Sequence, residues 1–466
     1  MPILPLNEIV KSLEANSPQT RGTKSKPICK IKILRPKSEQ IHQRPLRSLR
    51  ENQDNPNSMV QLHALISQNQ PSRGVNSKKR MPAVQRISII QVRGGHDECV
   101  TPLVYTLNQI GVQCDVYINH GLLTSRGNIF EALHIKADEF IVTGKFRIND
   151  LPPEPIGNRI FWLDCNGQKQ RQLLQKNTKK TLPIIFWTTF NEPTPLFVFC
   201  HDLGLKIYGF IHNSHIRVRY TNLFAYKNTK AVTFCRGMQT VLTEFNTQLI
   251  NFYLPPMSGL KRTDQQDFER SNKIRIAVPG KVNYEHRDYD LLVKFASELE
   301  TKFPAQFEFV IAGGLAGDDG TRLINSIKSE GLEQTVLLPT RNDPDQPKFM
   351  KYQELFDLLQ TCDLALENST SVKDDNSKIS GAVNLCINFE LPTLYLKGFS
   401  MYEEYSHLGN FLPEDLFAIA NDKSYKLIRQ KKEQAILLKL LMEEQNRNCL
   451  QHEVTQILQE QIKMQS

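Results

Sequence analysis

Beyond residue 85, short apolar runs alternate with stretches whose apolar residues recur every three or four positions. Residues 86–92 form a run typical of a buried strand, and residues 114–118 form another. Between them, apolar residues follow a glycine pair at helical spacing: Val100, Leu103, Val104, Leu107 and Ile110. Strand, helix and strand in this order predict a βαβ unit, and therefore a parallel sheet with right-handed crossovers.

The alternation continues in two blocks that a polar stretch separates. The first block, residues 86–255, has further strands predicted at 139–142, 160–163, 184–187, 206–211 and 231–234. Residues 256–272 lack apolar periodicity and are interpreted as an interdomain linker. The second block, residues 273–420, has strands predicted at 274–278, 307–312, 335–338, 363–366 and 393–396, and helices at 289–299, 321–329 and 352–361. Residues 421–466 predict one or two closing amphipathic helices.

This organisation predicts an α/β fold of two doubly wound, Rossmann-like domains that face each other across a cleft. Ligands of open parallel sheets bind at the carboxyl ends of the strands. Two such domains suit a reaction that joins two substrates, with one substrate held by each domain.

Charge changes the picture at the N-terminus. Residues 1–85 contain 15 Lys and Arg against five Asp and Glu, with nine prolines and no Phe, Trp or Tyr. Such a segment cannot bury enough apolar surface to offset the entropy of ordering, so we expect a mostly disordered basic tail. The rest of the chain is nearly neutral, and its basic residues are not interleaved with aromatic ones, which argues against a nucleic-acid enzyme.

The cysteines and the hydropathy pattern indicate the compartment. The nine cysteines are scattered singly, without a CxxC pair, which argues against a disulfide framework and against a zinc site. No stretch approaches the roughly 18 apolar residues of a membrane span, and the N-terminus lacks a secretory pattern. We therefore expect a cytoplasmic protein, and the sequence shows no cluster of metal ligands.

The first candidate site is Gly94-Gly95-His96-Asp97-Glu98, between the first predicted strand and helix. Glycines there let a substrate approach the backbone, and the start of a helix favours negative charge. The three polar side chains include candidates for a general base. The alternative interpretation is structural: Asp97 caps the helix and Glu98 complements its dipole.

The second candidate is His212, at the end of the predicted strand 206–211. A histidine at the carboxyl end of a strand in an α/β domain faces the ligand crevice, which favours a functional role. His215, Arg217 and Arg219 are interpreted as solvated or structural neighbours.

The third candidate is the turn after the first strand of the second domain. Gly280 is followed by Lys281 and, six positions later, by Arg287. Two cations that flank a turn at the mouth of the cleft suit a diphosphate, with Lys as a point charge and Arg as a bidentate fork. The alternative is a pair of surface cations without a ligand.

The fourth candidate is Ser380-Gly381-Ala382, which opens a predicted helix after Lys378. The free backbone N–H groups of such a turn can bind a phosphate, and Lys378 adds positive charge. In the alternative interpretation Ser380 is a helix cap and Lys378 is solvated.

The order of these parts resembles the GT-B glycosyltransferases, specifically the group 1 (family 4) type that takes a nucleotide-activated sugar. The resemblance covers residues 86–463, about four-fifths of the chain. The similar stretches are Gly94-Gly95, the strand ending in His212, residues 231–235, Gly280-Lys281 with Arg287, residues 310–314, 331–336 and 362–364, and the helix from Ser380 to Pro392.

The resemblance implies roles for these residues. Lys281 and Arg287 bind the donor diphosphate and stabilise the leaving charge, and His212 lies near the donor sugar. The donor side includes Gly280, Lys281, Arg287, Lys378, Ser380, Gly381, Ala382 and Asn384. The acceptor side includes Gly94, Gly95, His96, Asp97 and Glu98, and His96 would be the base if the enzyme inverted configuration. No metal and no cofactor is implied.

The chain departs from this family at one point. The family usually has two glutamates eight positions apart around the last glycine turn, and the second holds the nucleotide ribose. Ser377 and Leu385 stand at those positions, and neither binds a ribose as a carboxylate does. Asn384, one position away, can take part of that role.

The sequence therefore predicts a retaining glycosyltransferase of polysaccharide biosynthesis, with a glycan, lipid-linked or protein acceptor. A nucleotide-sugar epimerase on the same fold and a catalytically degenerate scaffold subunit are the alternatives. For the tail, two hypotheses stand side by side: docking to an anionic membrane surface, which would make the protein peripheral, and a solvated arm without a specific partner.

Overall fold

Two parallel β-sheets organise the chain in the computed structural model. The structure describes residues 85–91, 97–142, 157–164, 167–177, 181–188, 195–212, 226, 228–234, 238, 249–251, 273–315, 317–339, 350–369, 381–396, 411–422 and 425–465. The predicted tail, all but one residue of it, and the predicted linker lie outside these residues. Residues 81–466 pack as one unit.

The first sheet has eight strands in the order β3-β4-β2-β1-β5-β6-β7-β8, and every neighbouring pair is parallel. The strands are β1 Arg86–Gln91, β2 Gln113–Asn119, β3 Ala137–Val142, β4 Asn158–Leu163, β5 Ile184–Trp187, β6 Lys206–Phe210, β7 Thr229–Thr233 and β8 Leu249–Asn251. The helices connected with them are α1 Val100–Gln109, α2 His120–Arg126, α3 Ile129–Ala132, α4 Gly167–Asn177 and α5 Pro195–Asp202, and a short 3₁₀ turn, Asp97–Cys99, precedes α1.

The second sheet has five parallel strands in the order β11-β10-β9-β12-β13. The strands are β9 Ile274–Pro279, β10 Phe307–Ala312, β11 Val336–Leu337, β12 Leu364–Glu367 and β13 Thr393–Tyr395. The helices are α6 Tyr289–Lys302, α7 Gly317–Ser329, α8 Tyr352–Gln360, α9 Gly381–Asn388, α10 Pro413–Asp422 and α11 Lys426–Gln465.

Both sheets have the strand order of a doubly wound fold. The chain leaves the first strand in one direction and later returns to pair on its other side, at β1/β5 in the first sheet and β9/β12 in the second. The carboxyl ends of such strands form a ligand crevice at this reversal. The predicted doubly wound α/β architecture is confirmed, and the predicted strands agree with the observed ones to within three residues at either end.

The strands are recognisable in the sequence because most of them are buried on both faces. All six residues of β1 and of β4 are buried, as parallel sheets covered by helices require. β3 is the exception, since it forms an edge of the first sheet and leaves Ile141 60% exposed.

A buried ionic cluster lies near the amino ends of β1, β2 and β4, and therefore away from the ligand crevice. Asp115 is completely buried and bonds to two guanidinium groups, with Oδ1 2.9 Å from Arg86 Nη1 and 2.7 Å from Arg159 Nε. Arg86 also donates to the carbonyl of Gly157 at 2.9 Å. Removal of one partner would leave a buried charge uncompensated, so the first sheet should be sensitive to substitution of any member of this cluster.

The chain closes with one helix, α11, where the sequence allowed one or two. Ile428, near its start, packs in the core of the second sheet, whereas Leu450 and Val454 pack in the core that contains the first sheet. Glu453 accepts hydrogen bonds from Tyr208 Oη and Lys230 Nζ, both at 2.7 Å. Helix α11 therefore ties the second block to the first. Within the described residues no helix is both long and apolar enough to cross a membrane.

Candidate functional site

The turn after β9 is shaped by a glycine. Gly280 has φ +105°, a backbone conformation that L side chains rarely adopt. Its N–H donates to Ala312 O, and Val282 N–H donates to Gly314 O, both at 3.0 Å. These two bonds extend the β9–β10 pairing beyond the sheet and fix the turn at the carboxyl edge.

A second glycine makes this close approach possible. A Cβ at Gly313 would overlap the carbonyl oxygen of Gly280. The glycine at position 313, within the stretch 310–314 that resembles the GT-B family, thus has a local physical reason. The β10 turn lies directly against the β9 turn and leaves no room for a side chain.

The two predicted cations lie together on this platform. Arg287 Nη1 donates to the carbonyl of Lys281 at 3.2 Å, and Tyr289 Oη donates to the same carbonyl at 3.4 Å. Within the described part of the chain, no carboxylate lies within ion-pair distance of Lys281 or Arg287, and both side chains are partly exposed. The arrangement is a pair of positive charges that an anion can neutralise.

The segment after β12 holds the same turn from the other side. Asp288 N–H donates to Asn368 O at 2.9 Å, and Ser369 Oγ donates to His286 O at 3.4 Å. Arg287 and Ser369 also form an isolated antiparallel bridge. Asn368 and Ser369 were not among the predicted site residues, because they reach the site only through the parallel register of β9 and β12.

Glu367 brings a buried carboxylate to the same edge. Its Oε1 accepts from Ser369 N–H at 2.8 Å, and the residue is only 9% exposed. Burial raises the pKa of the nearby Tyr289 hydroxyl to about 12, and the charge of Glu367 adds to that rise while the charge of Arg287 opposes it. Tyr289 is thus a neutral hydrogen-bond donor that supports the Lys281 carbonyl.

Helix α9 begins at Gly381, as the sequence predicted. Lys378 and Ser380 lie outside the described residues, and of Ala382 and Asn384 the structure describes the helical backbone alone. Leu385, which stands where the family has its ribose-binding glutamate, is partly buried and packs against the core. Ser377 is also outside the described residues.

His212 follows β6 and is half-buried. Its Nε2 lies 2.6 Å from the carbonyl oxygen of Thr188, and its ring contacts Phe234 with the centroids 5.2 Å apart. Because Thr188 follows β5 and Phe234 follows β7, His212 is at the carboxyl edge of the first sheet, where the sequence placed it. His215, Arg217 and Arg219 lie outside the described residues.

The predicted acceptor loop is described in part. Gly94, Gly95 and His96 lie outside the described residues, and Asp97 lies in the 3₁₀ turn. The N-cap of α1 is Cys99, which makes no side-chain capping bond, and of Asp97 the structure describes the backbone alone.

Glu98 lies in the 3₁₀ turn that precedes α1 and pairs with Arg126 at the end of α2. Its Oε2 is 3.9 Å from Arg126 Nη1, and Arg126 Nη1 is also 3.3 Å from the hydroxyl of Tyr352 at the start of α8. Arg126 thus links Glu98 to Tyr352 of the second block. Across the described ranges, the structure contains no group of three or more His, Cys, Asp or Glu side chains able to hold a metal ion.

Comparison with known proteins identifies the fold. No family model matches the chain, and no curated protein matches it. A solved glycosyltransferase from Rickettsia africae ESF-5 has a TM-score of 0.54 and 11% identity, and the match covers 80% of this chain and 98% of that one. Since two doubly wound sheets match over nearly the whole of that structure, the predicted GT-B glycosyltransferase-like fold is confirmed.

Two further solved structures are similar at lower scores. An α,α-trehalose-phosphate synthase (UDP-forming) from Burkholderia vietnamiensis has a TM-score of 0.46 and 8% identity, covering 81% of this chain and 99% of that chain. A UDP-GlcNAc 2-epimerase from Neisseria meningitidis bound to UDP-GlcNAc has a TM-score of 0.43 and 11% identity, covering 81% of this chain and 100% of that chain.

Proposed function

We propose that this protein is a glycosyltransferase that moves a sugar from a nucleotide-sugar donor to an acceptor. The observation that carries the proposal is the pair of cations, Lys281 and Arg287, on a turn that two glycines build at the carboxyl edge of the second sheet. This edge is the ligand-binding edge of a doubly wound fold. A diphosphate brings the negative charge that the pair can neutralise.

The chemistry follows from the geometry. Arg287 offers a planar fork of N–H donors, and Lys281 offers a compact charge, so together they bind adjacent phosphates. When the bond between the sugar and the diphosphate breaks, negative charge grows on the departing diphosphate, and fixed cations stabilise that charge. The start of α9 at Gly381 supports the same site, because the N–H groups at a helix N-terminus also favour a phosphate.

The finer assignments extend the proposal. The second sheet holds the donor, with Gly280, Lys378, Ser380, Gly381, Ala382 and Asn384 beside the two cations. The first sheet holds the acceptor through the loop from Gly94 to Glu98, and His212 faces the donor sugar. We propose a retaining, metal-independent hexosyl transfer in the cytoplasm, within polysaccharide biosynthesis. A glycan, a lipid-linked saccharide and a protein are the candidate acceptors.

We assign the basic segment, residues 1–85, a role in placing the protein within the cell. We propose that its lysines and arginines hold the protein at anionic lipid headgroups, close to a lipid-linked acceptor. Flotation with vesicles of anionic and of neutral lipid compares the full chain with a chain that starts at Arg86. We expect the full chain alone to float with the anionic vesicles, and equal binding by both chains would disprove this role.

The central experiment measures donor binding. A panel of nucleoside diphosphates and nucleotide sugars is screened by thermal shift, because a ligand that binds only the folded state raises its apparent stability. The affinity of the best ligand is then measured by calorimetry for the wild type and for Lys281→Ala/Arg287→Ala. Loss of charge-assisted hydrogen bonds predicts affinity weaker by roughly tenfold to a hundredfold.

Two controls make the result specific. Lys294→Ala removes an exposed cation from α6 and should leave the affinity unchanged. NMR of the donor with the enzyme alone separates transfer from epimerisation, since an epimerase converts the donor without an acceptor. No binding of any nucleoside diphosphate, or equal binding by the double variant, would overturn the proposed donor site.

A further inference from the structure

Two buried polar side chains lie behind His212 in the first sheet. Gln91 ends β1 and Thr188 follows β5, and both residues are completely buried. β1 and β5 are neighbouring parallel strands, so their carboxyl ends lie side by side. A hydroxyl and an amide are costly to bury unless they are hydrogen-bonded, so their pairing here calls for a reason.

The two side chains fix one carbonyl group. Thr188 Oγ1 donates to Gln91 Oε1 at 2.9 Å and also lies 3.3 Å from Ile90 O. Thr188 N–H donates to Ile90 O at 3.1 Å. The peptide unit of Thr188 is therefore held both through its backbone and through its side chain. Its own carbonyl oxygen points to His212 Nε2 at 2.6 Å.

This contact decides where the imidazole carries its hydrogen. A carbonyl oxygen only accepts, so His212 Nε2 must be the N–H donor in the neutral ring and in the protonated ring alike. The proton that His212 gains or loses is consequently the one on Nδ1. The ring of Phe234, against the imidazole, limits rotation that would exchange the two nitrogens.

We infer that Gln91 and Thr188 are positioning residues that hold His212 with its hydrogen on Nε2, so that the ring exchanges its proton at Nδ1. The role of His212 in transfer rests on the proposed function, whereas the tautomer rests on the first sheet alone. The two ring nitrogens of a histidine have different roles. The hydrogen bond that one nitrogen makes sets which of the two carries the hydrogen.

The test reads the tautomer directly. In the full-length protein with ¹⁵N-labelled histidine, NMR correlations assign the ring nitrogens of His212, and His212→Gln identifies its signals. We expect the Nε2–H tautomer in the wild type and in Thr188→Ser, which keeps the hydroxyl. In Thr188→Val, which keeps the carbonyl and the shape but loses the hydroxyl, we expect an increased share of the Nδ1–H tautomer.

A matched variant separates positioning from stability. Thr106→Val removes a buried hydroxyl that bonds within α1, to Pro102 O at 2.9 Å, so it should cost similar stability without changing the His212 tautomer. With a transfer substrate, we expect Thr188→Val to lower kcat about tenfold while KM for the donor stays constant, and Thr188→Ser to restore kcat.

The outcomes are distinct. An Nδ1–H tautomer in the wild type, or a Thr188→Val protein that keeps both the wild-type tautomer and the wild-type kcat, would overturn the inference. The expected tautomers without any nucleotide binding would instead overturn the proposed function and leave the positioning of His212 intact.

Discussion

The guanidinium group of Arg287 lies directly against Gly280. A Cβ at Gly280 would be 2.7 Å from Arg287 Cζ and would overlap Nη2. The glycine thus serves two purposes, since it permits φ +105° and leaves room for the cation that closes over the turn. The position of the arginine depends on the absence of a side chain seven positions earlier.

The first prediction follows from this contact. Gly280→Ala should displace Arg287 and weaken the binding of a nucleoside diphosphate about tenfold, comparable with the loss of one charge-assisted hydrogen bond. Gly331→Ala is the matched control, because Gly331 also has a positive φ, +67°, but a Cβ there meets nothing within 4 Å. Both variants should lose about 1–2 kcal/mol of unfolding free energy through backbone strain. Calorimetry should find weaker binding in Gly280→Ala alone, and unchanged affinity in that variant would contradict the clamp.

A second prediction concerns the buried carboxylate of the first sheet. Asp115→Ala leaves the Arg86 and Arg159 guanidinium groups buried without their counter-charge, so unfolding in urea should show a loss of about 3–5 kcal/mol. Glu298→Ala breaks an exposed pair with Lys302 within α6 and should cost about 0.5 kcal/mol or less. A loss below about 1 kcal/mol for Asp115→Ala would show that the cluster is not a principal support of the sheet.

A third prediction compares two carboxylates on α11. Glu453 is buried and accepts from Tyr208 and Lys230, whereas Glu460 is exposed and pairs with Lys206. Glu453→Gln should lower the unfolding free energy by about 1–3 kcal/mol, because a buried charged hydrogen-bond network loses its acceptor charge. Glu460→Gln should change it by about 0–1 kcal/mol. Equal effects would mean that Glu453 does not anchor the helix to the first sheet.

A fourth prediction concerns alkaline pH. Burial raises the pKa of the Cys200 thiol to about 12, opposed in part by Arg171, and burial with the charge of Glu367 raises that of Cys386 to about 12, both from an ordinary value of 9.0. Above that ordinary value the unfolded chain loses protons that the folded chain keeps, so stability is complete at lower pH and falls as pH rises. Between about pH 8 and pH 10 each thiol should lower the unfolding free energy by about 1.4 kcal/mol.

The contribution of one thiol is isolated by substitution. Urea unfolding measures the unfolding free energy of the wild type and of Cys386→Ala at both pH values. Between the two pH values this free energy should fall less in the variant than in the wild type, by about 1.4 kcal/mol. An equal fall in both proteins would show that Cys386 ionises normally in the folded chain.

Several elements were predictable because their physical cause is local. The strands 184–187 and 307–312 were predicted with the observed bounds, since parallel strands covered by helices are largely apolar runs between turns. Short elements were not predicted, because they carry no local pattern. Helix α3 has four residues and strand β8 has three, so neither carries a period that can be recognised.

Some residues of the candidate site could likewise be predicted from the sequence, and others could not. Lys281 and Arg287 could be selected in advance because a glycine turn after a strand gives cations a functional position. Glu367, Thr188 and Gln91 could not, because each lies at or directly after the end of a strand without a local motif, and its importance arises from a neighbour distant in the chain. Thr188 meets Gln91 only because β5 pairs with β1.

Hydrophobic periodicity and turn chemistry act over a few residues. The alternation of strands and helices, the two α/β blocks and the two cations could therefore be predicted from the sequence. Only the folded chain shows that Arg287 closes over Gly280, that Glu367 and Ser369 support the same turn, and that His212 Nε2 lies 2.6 Å from the Thr188 carbonyl oxygen. Those features depend on which strands are neighbours and in what register. Register is a property of the assembled sheet, to which residues far apart in the chain contribute together.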